Sequence, residues 1–180
     1  EEKNSDALTR AESKSIQGVI DESSGNMSKA SKKIKKIYSQ SIHGLAKGDL
    51  SGLKKNKKAV SKYSEEIEDL RNDLFYFIKN LDESTIKGAS NFYINVLAYL
   101  QDIAESLQYI SKITYKHINN NHTNLTFNQI RELQEIDSEL NNLYDEIQFI
   151  FSKNNFKELN KVIDKKQELY SSLKQKIDIQ

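Results

Sequence analysis

Apolar residues recur at alternating steps of three and four along most of the chain. The longest run is Ile86, Ala89, Tyr93, Val96, Leu100, Ile103, Leu107, Ile110, Thr114 and Ile118. That spacing keeps one face of a helix apolar and predicts a helix of roughly 35 residues, ~50 Å long at ~1.5 Å per residue. A second stripe runs Val60, Tyr63, Ile67, Leu70, Leu74, Phe77, Leu81. A third runs Ile130, Leu133, Asp137, Leu140, Tyr144, Ile147, Phe151, and a fourth Phe156, Leu159, Ile163, Lys166, Tyr170, Leu173, Ile177. The N-terminal part shows Met27, Ala30, Ile34, Ile37, Ser41 and Leu45, preceded by a looser Leu8, Ile16, Val19, Ile20. No segment sustains a period of two, so no strand is expected.

The intervals between stripes carry helix stop and start chemistry. Ser23-Ser24-Gly25-Asn26 is expected to interrupt or kink the first helix. Gly44 to Gly52 holds three glycines, with Asp49 or Ser51 as the cap of the next helix. Asp82-Glu83-Ser84 separates two stripes, with Ser84 as N-cap. Asn119 to Asn124 ends the long helix, because Asn tolerates left-handed geometry. Thr126 and Gln129 form a capping box, and Lys153-Asn154-Asn155 turns into the last helix. The predicted fold is all-α: one domain over residues 1–180, an antiparallel bundle of about five helices with short loops.

Composition then removes function classes. There is no Cys, hence no disulfide framework, thiol nucleophile or thiolate metal site. The glycine-rich phosphate loops do not occur. Pro is absent where ~5% is usual, which leaves long helices unbroken. No apolar run approaches the ~20 residues of a bilayer span, and Glu1-Glu2-Lys3-Asn4 lacks the apolar region of a secretory signal, so a soluble chain is expected.

The net charge of +1 conceals segregation. Residues 25–62 contain eleven Lys and one Asp, whereas residues 63–110 contain nine acidic and three basic residues. The basic block comprises Lys29, Lys32, Lys33, Lys35, Lys36, Lys47, Lys54, Lys55, Lys57, Lys58 and Lys62 around an intact apolar stripe. It reads either as the solvated face of a helical hairpin or as a surface for an anionic lipid membrane or a phosphate-rich ligand. Lys32, Lys33, Lys35, Lys36, Lys54, Lys55, Lys57 and Lys58 are the candidate contacts. Nucleic acid is not expected as a partner, because base-reading motifs are missing and Tyr38 is the block's only aromatic residue.

Glu65, Asp69 and Asp73 share a helical face at i, i+4, i+8. Asp69, Asp73, Asp102 and Glu105 are the candidate ligands for a divalent metal, against the alternative of a solvated acidic face. No cofactor is otherwise expected. His43, His117 and His122 form no His-x-x-x-His pair and read as local helix caps or core-edge hydrogen-bonding groups. Phe75, Phe77, Phe92, Tyr93, Tyr99, Tyr109, Phe149 and Phe151 lie on or beside the stripes and read as core. No nucleophile has a base at motif spacing, so no enzymatic activity is expected.

Three segments carry a family resemblance. Lys36-Ile37-Tyr38-Ser39-Gln40-Ser41-Ile42-His43-Gly44-Leu45-Ala46-Lys47-Gly48-Asp49-Leu50 resembles a K-I-Y-x-x-x-I-x-G-L-x-x-x-D segment of a bacterial family. Tyr99 to Ile110 and His117-Ile118-Asn119-Asn120-Asn121-His122 are the other two. Together they resemble the PhoU-like C-terminal region of PiT-type inorganic phosphate transporters, over about residues 15–175. The resemblance implies a regulatory domain on the cytoplasmic face of the bacterial inner membrane. Its partner would be the transmembrane part of the same polypeptide, and it would modulate phosphate uptake. Several PhoU-type proteins bind metal clusters through E-x-x-x-D motifs. Here Gln101 and Glu105 occupy one such motif, whose first position lacks a carboxylate, while Asp69 and Asp73 keep the spacing in another helix. The alternatives are a stand-alone PhoU-like metal-binding regulator and a structural coiled-coil oligomerisation module. So regular a stripe is also compatible with a homodimer.

Overall fold

The computed structural model describes residues 7–10, 12–79, 81–85 and 91–179. Helix α1 spans Ile16–Lys47, α2 Leu50–Ile78, the single turn α3 Glu83–Thr85, α4 Asn91–Asn119, α5 Phe127–Lys153 and α6 Leu159–Ile179. A 3-10 turn at Phe156–Glu158 leads into α6. There is no strand among the described residues.

The five long helices run alternately up and down. Lys33 of α1 pairs with Glu66 of α2, and Asn56 of α2 reaches back to Ile37, so these two are antiparallel. Arg71 of α2 donates to Gln101 of α4, while Lys57 stands over the Tyr115 ring. Lys35 pairs with Asp145 of α5, and Ser39 donates to Asp137, fixing α5 antiparallel to α1. Helices α1, α2 and α4 enclose the main core, built on Ile34, Ile37, Val60, Tyr63, Ile67, Leu97, Leu100 and Leu107. Helix α6 packs principally on α5, through a smaller cluster of Leu143, Ile150 and Val162.

Cap chemistry explains most boundaries. Ser15 caps α1 by accepting from the Gly18 N–H, and α1 ends where Gly48 turns left-handed at φ 64°. Asp49 Oδ1 accepts from Gly52 N at 2.9 Å and opens α2. Thr126 and Gln129 form the reciprocal capping box of α5, and Asn154 at φ 51° closes that helix. At the end of α4, Asn121 adopts φ 52°, and His122 N–H donates to His117 O.

Three expectations need correction, and a fourth falls partly outside the described residues. The Ser23–Asn26 segment does not break α1, which is continuous across it. Ser23 Oγ bonds back to the Val19 and Ile20 carbonyls, and Asn26 satisfies its amide against other elements. The described part of the long helix is Asn91–Asn119, and Ile86 and Ala89 of its stripe lie outside the described residues. The stripe of α6 is only partly its packing face: Phe156 and Leu159 pack with Val162 and Leu169 against α5, whereas Ile163, Tyr170 and Ile177 are 50%, 67% and 69% exposed. One residue is ~100° of helix rotation, so beyond Leu159 the exposed members of the stripe sit about a quarter-turn from Val162 and Leu169. Among the aromatic residues read as core, Tyr93 is buried, but Phe75, Tyr99, Tyr109 and Phe149 are exposed; the Phe77 side chain lies outside the described residues.

The N-terminal segment crosses this core as an extended strap. Leu8 N–H donates to Glu66 Oε1 at 3.0 Å, Thr9 N–H to Asn26 Oδ1 at 2.6 Å, and Arg10 pairs with Asp73 at 3.0 Å. Lys29 Nζ donates to Ala7 O and Thr9 Oγ1.

Candidate functional site

The α1–α2 hairpin builds a cleft. Gly48 supplies the left-handed turn, and Asp49 N–H bonds Gly44 O, so the chain reverses within two residues. Gly44 then lets α2 approach closely, since a Cβ there would stand 2.7 Å from Leu53 Cδ2. Further along, Asn56 Nδ2 donates to Ile37 O at 3.1 Å and Ser41 Oγ at 2.7 Å, stitching the two helices together beneath the surface. Above that stitch the helices leave a concavity of about 850 Å³. Its α1 wall carries Lys32, Lys36, Gln40 and His43, and its α2 wall carries Lys55, Asn56 and Ala59.

Five of the eight lysines singled out in the sequence line this cleft: Lys32, Lys33, Lys35, Lys36 and Lys55. They do not stand in equal circumstances. Lys33 Nζ is held at 3.1 Å from Glu66 and 4.6 Å from the centre of the Tyr63 ring. Lys35 Nζ is held at 2.6 Å from Asp145. Lys36 and Lys55 have no ion-pair partner among the described residues and reach from opposite walls. Lys54, Lys57 and Lys58 lie outside the cleft, with Lys57 turned to Tyr115. Asp49 is the acidic residue of the lining, and its carboxylate is engaged with Gly52 N–H.

Gln40, His43 and Asn56 are the lining residues that sequence pattern alone does not assign to the cleft. For the first two the signal was present: Lys32, Lys36, Gln40 and His43 follow one another at steps of four, four and three, one flank of α1 beside its core stripe. Asn56 carried no such signal. It is 2% exposed inside a lysine run, and its Oδ1 has no hydrogen-bond partner.

The acidic candidates are not gathered. Asp69 and Asp73 line a second, mixed cleft of about 470 Å³ with Arg10, Lys33, Lys62, Glu65 and Glu66, where Asp73 is paired with Arg10. Asp102 and Glu105 lie exposed on α4, and Gln101 accepts from Arg71 at 2.7 Å. Among the described residues, no three His, Cys, Asp or Glu side chains come together in a way that could hold a metal ion. His117 Nε2 is 3.0 Å from Thr123 O, and its ring centre is 5.4 Å from that of His122, so this pair braces the α4–α5 turn.

No helix among the described residues is long and apolar enough to cross a membrane. Comparison of the chain with family models, with curated proteins and with solved structures found no match.

Proposed function

We propose that the chain is the regulatory domain of an inorganic phosphate transporter, seated on the cytoplasmic side of the membrane and modulating phosphate uptake. One observation carries the reading: one of the three segments that bear the family resemblance is itself a wall of the basic cleft. Lys36, Ile37, Gln40, His43, Gly44 and Asp49 all line the cleft and all belong to residues 36–50. A helical bundle with a lysine-lined groove has the chemistry to respond to an anion, and the described residues offer no comparable gathering of catalytic groups.

Electrostatics supports the same reading. The +10 block of residues 25–62 sits on one hairpin, and cytoplasmic segments near a membrane favour Lys and Arg. The transmembrane part of the same polypeptide is the proposed partner.

The test is phosphate uptake by the full-length transporter with residues 1–180 deleted, measured across phosphate concentrations. Altered uptake, or an altered response to phosphate supply, is expected. Unchanged uptake at every concentration overturns the regulatory role, and loss of assembly without any change in transport per assembled carrier assigns the chain to a structural module.

A further inference from the structure

We propose that the α1–α2 cleft binds a compact anion carrying two or more phosphate groups and no aromatic ring. The proposal gives the regulatory reading its ligand and rests on it. Positive charge is unevenly compensated around the cleft. Lys33 and Lys35 are neutralised by Glu66 and Asp145 at the cleft's margins. Lys36 and Lys55 face each other from α1 and α2 with no acidic partner among the described residues. A ligand satisfying both walls must present negative charge at two places.

Size agrees with that. About 850 Å³ lies within the ~300–1,000 Å³ range of small-molecule sites, far more than one orthophosphate fills. The donor set narrows the chemistry. All the cationic side chains of the lining are Lys, with His43 beside them, and there is no Arg. The planar fork that reads carboxylates in bidentate fashion is therefore missing, whereas ammonium groups serve as point charges for phosphate oxygens. Phe, Tyr and Trp are missing from the cleft, its apolar surface comes from Ile37 and Ala59 and its one ring is the small His43 imidazole, so a nucleobase has no broad platform to stack on. Shape argues against a flat lipid surface as the occupant. The two unpartnered lysines stand on the walls of a groove, while Lys54 and Lys58 stand outside it.

Calorimetry on the 180-residue chain at ~0.15 M salt, without divalent cations, tests this with tripolyphosphate, orthophosphate, citrate and ATP. Tripolyphosphate is expected to bind about tenfold more tightly than orthophosphate or citrate, and ATP no more tightly than tripolyphosphate. The Lys36→Gln/Lys55→Gln pair should weaken tripolyphosphate binding about tenfold. The Lys54→Gln/Lys58→Gln pair removes the same charge outside the cleft and should leave binding unchanged. Circular dichroism checks that both pairs stay helical, as is expected of exposed positions. Equal weakening by the two pairs, citrate binding as tight as tripolyphosphate, or no tripolyphosphate binding overturns the proposal. So does co-sedimentation with phosphatidylglycerol vesicles that tripolyphosphate fails to displace. Binding is read on the chain alone and uptake on the whole transporter, so either result can fail without the other.

Discussion

Tyr63 and Tyr93 are both sealed in the main core, at 0% and 1% exposure, yet their hydroxyls differ. Tyr93 Oη accepts from Asn26 Nδ2 at 2.9 Å and donates to Thr9 O at 3.1 Å, so it ties α4 to α1 and to the N-terminal strap. Tyr63 Oη has no hydrogen-bond partner. A buried hydroxyl without a partner costs its desolvation, whereas a satisfied one contributes ~1 kcal/mol and leaves its neighbours stranded when removed. Tyr93→Phe is therefore expected to destabilise by about 1–3 kcal/mol, because Asn26 and Thr9 lose a shared partner. Tyr63→Phe keeps the ring under Lys33 and should be neutral or stabilising by up to about 1 kcal/mol. Urea unfolding midpoints measure both, and equal losses would show that the two hydroxyls are equivalent. Sequence pattern placed both tyrosines in the core correctly. It was silent on the difference, which depends on Asn26, 67 residues from Tyr93 along the chain.

At the scale of the element, the α1–α2 hairpin depends on Gly44. A helix interior normally favours Ala over Gly by ~1 kcal/mol. Here the added Cβ would lie 2.7 Å and 2.8 Å from the Leu53 side chain, which is itself 1% exposed and has nowhere to retreat. Overpacking of that kind costs ~1–3 kcal/mol. Gly44→Ala is expected to lose about 1–2 kcal/mol net and to push α2 away from α1. Thermal unfolding measures the loss, and a more stable variant would show that Leu53 can yield. The same elements show why some of the fold was legible and some was not. Most stripe residues of α1 and α2 are packed, because these two helices share the main core with α4. Helix α5 is sandwiched between α1 and α6, so its most buried row is Ile136, Leu143 and Ile150, flanking the predicted one. Helix α6 sits at the margin with α5 as its main neighbour, so Ile163, Tyr170 and Ile177 of its apolar row are free to face outward. Caps were legible because their hydrogen bonds span three or four residues, as at Thr126–Gln129. The cleft was half legible. Its lysines are plain in the sequence, but which of them Glu66 and Asp145 neutralise is decided by long-range pairing.

Across the whole molecule, four tyrosines join the helices and share one titration behaviour. Tyr38 of α1, Tyr63 of α2, Tyr93 of α4 and Tyr144 of α5 all belong to the main core or pack on it. Burial pushes the Tyr38 phenol up to about 12, helped by Asp137 and the neighbouring Tyr144. Burial, with Glu22 nearby, pushes Tyr93 up to about 12 against the opposing Asn26 hydrogen bond. Tyr63 and Tyr144 are raised as well, chiefly by burial. An unfolded tyrosine ionises near pH ~10, so above that value the unfolded chain releases protons that the folded bundle retains. The unfolded state then binds fewer protons, and unfolding free energy falls as pH rises. Each tyrosine held neutral in this way lowers stability by about 1.4 kcal/mol per pH unit. This contribution is complete below pH ~10 and is lost through about pH 12, where Tyr38 and Tyr93 ionise in place. Urea midpoints are accordingly expected to stay level from pH 8 to 9 as far as the tyrosines are concerned, then drop steeply between 10 and 12. Followed residue by residue with 13C-labelled rings in NMR, Tyr38 and Tyr93 should ionise together with the loss of helix rather than before it. Ionisation of Tyr38 or Tyr93 near pH 10 in a chain still fully helical would mean that these rings are open to water, and the packing of α1, α2, α4 and α5 around them would have to be redrawn.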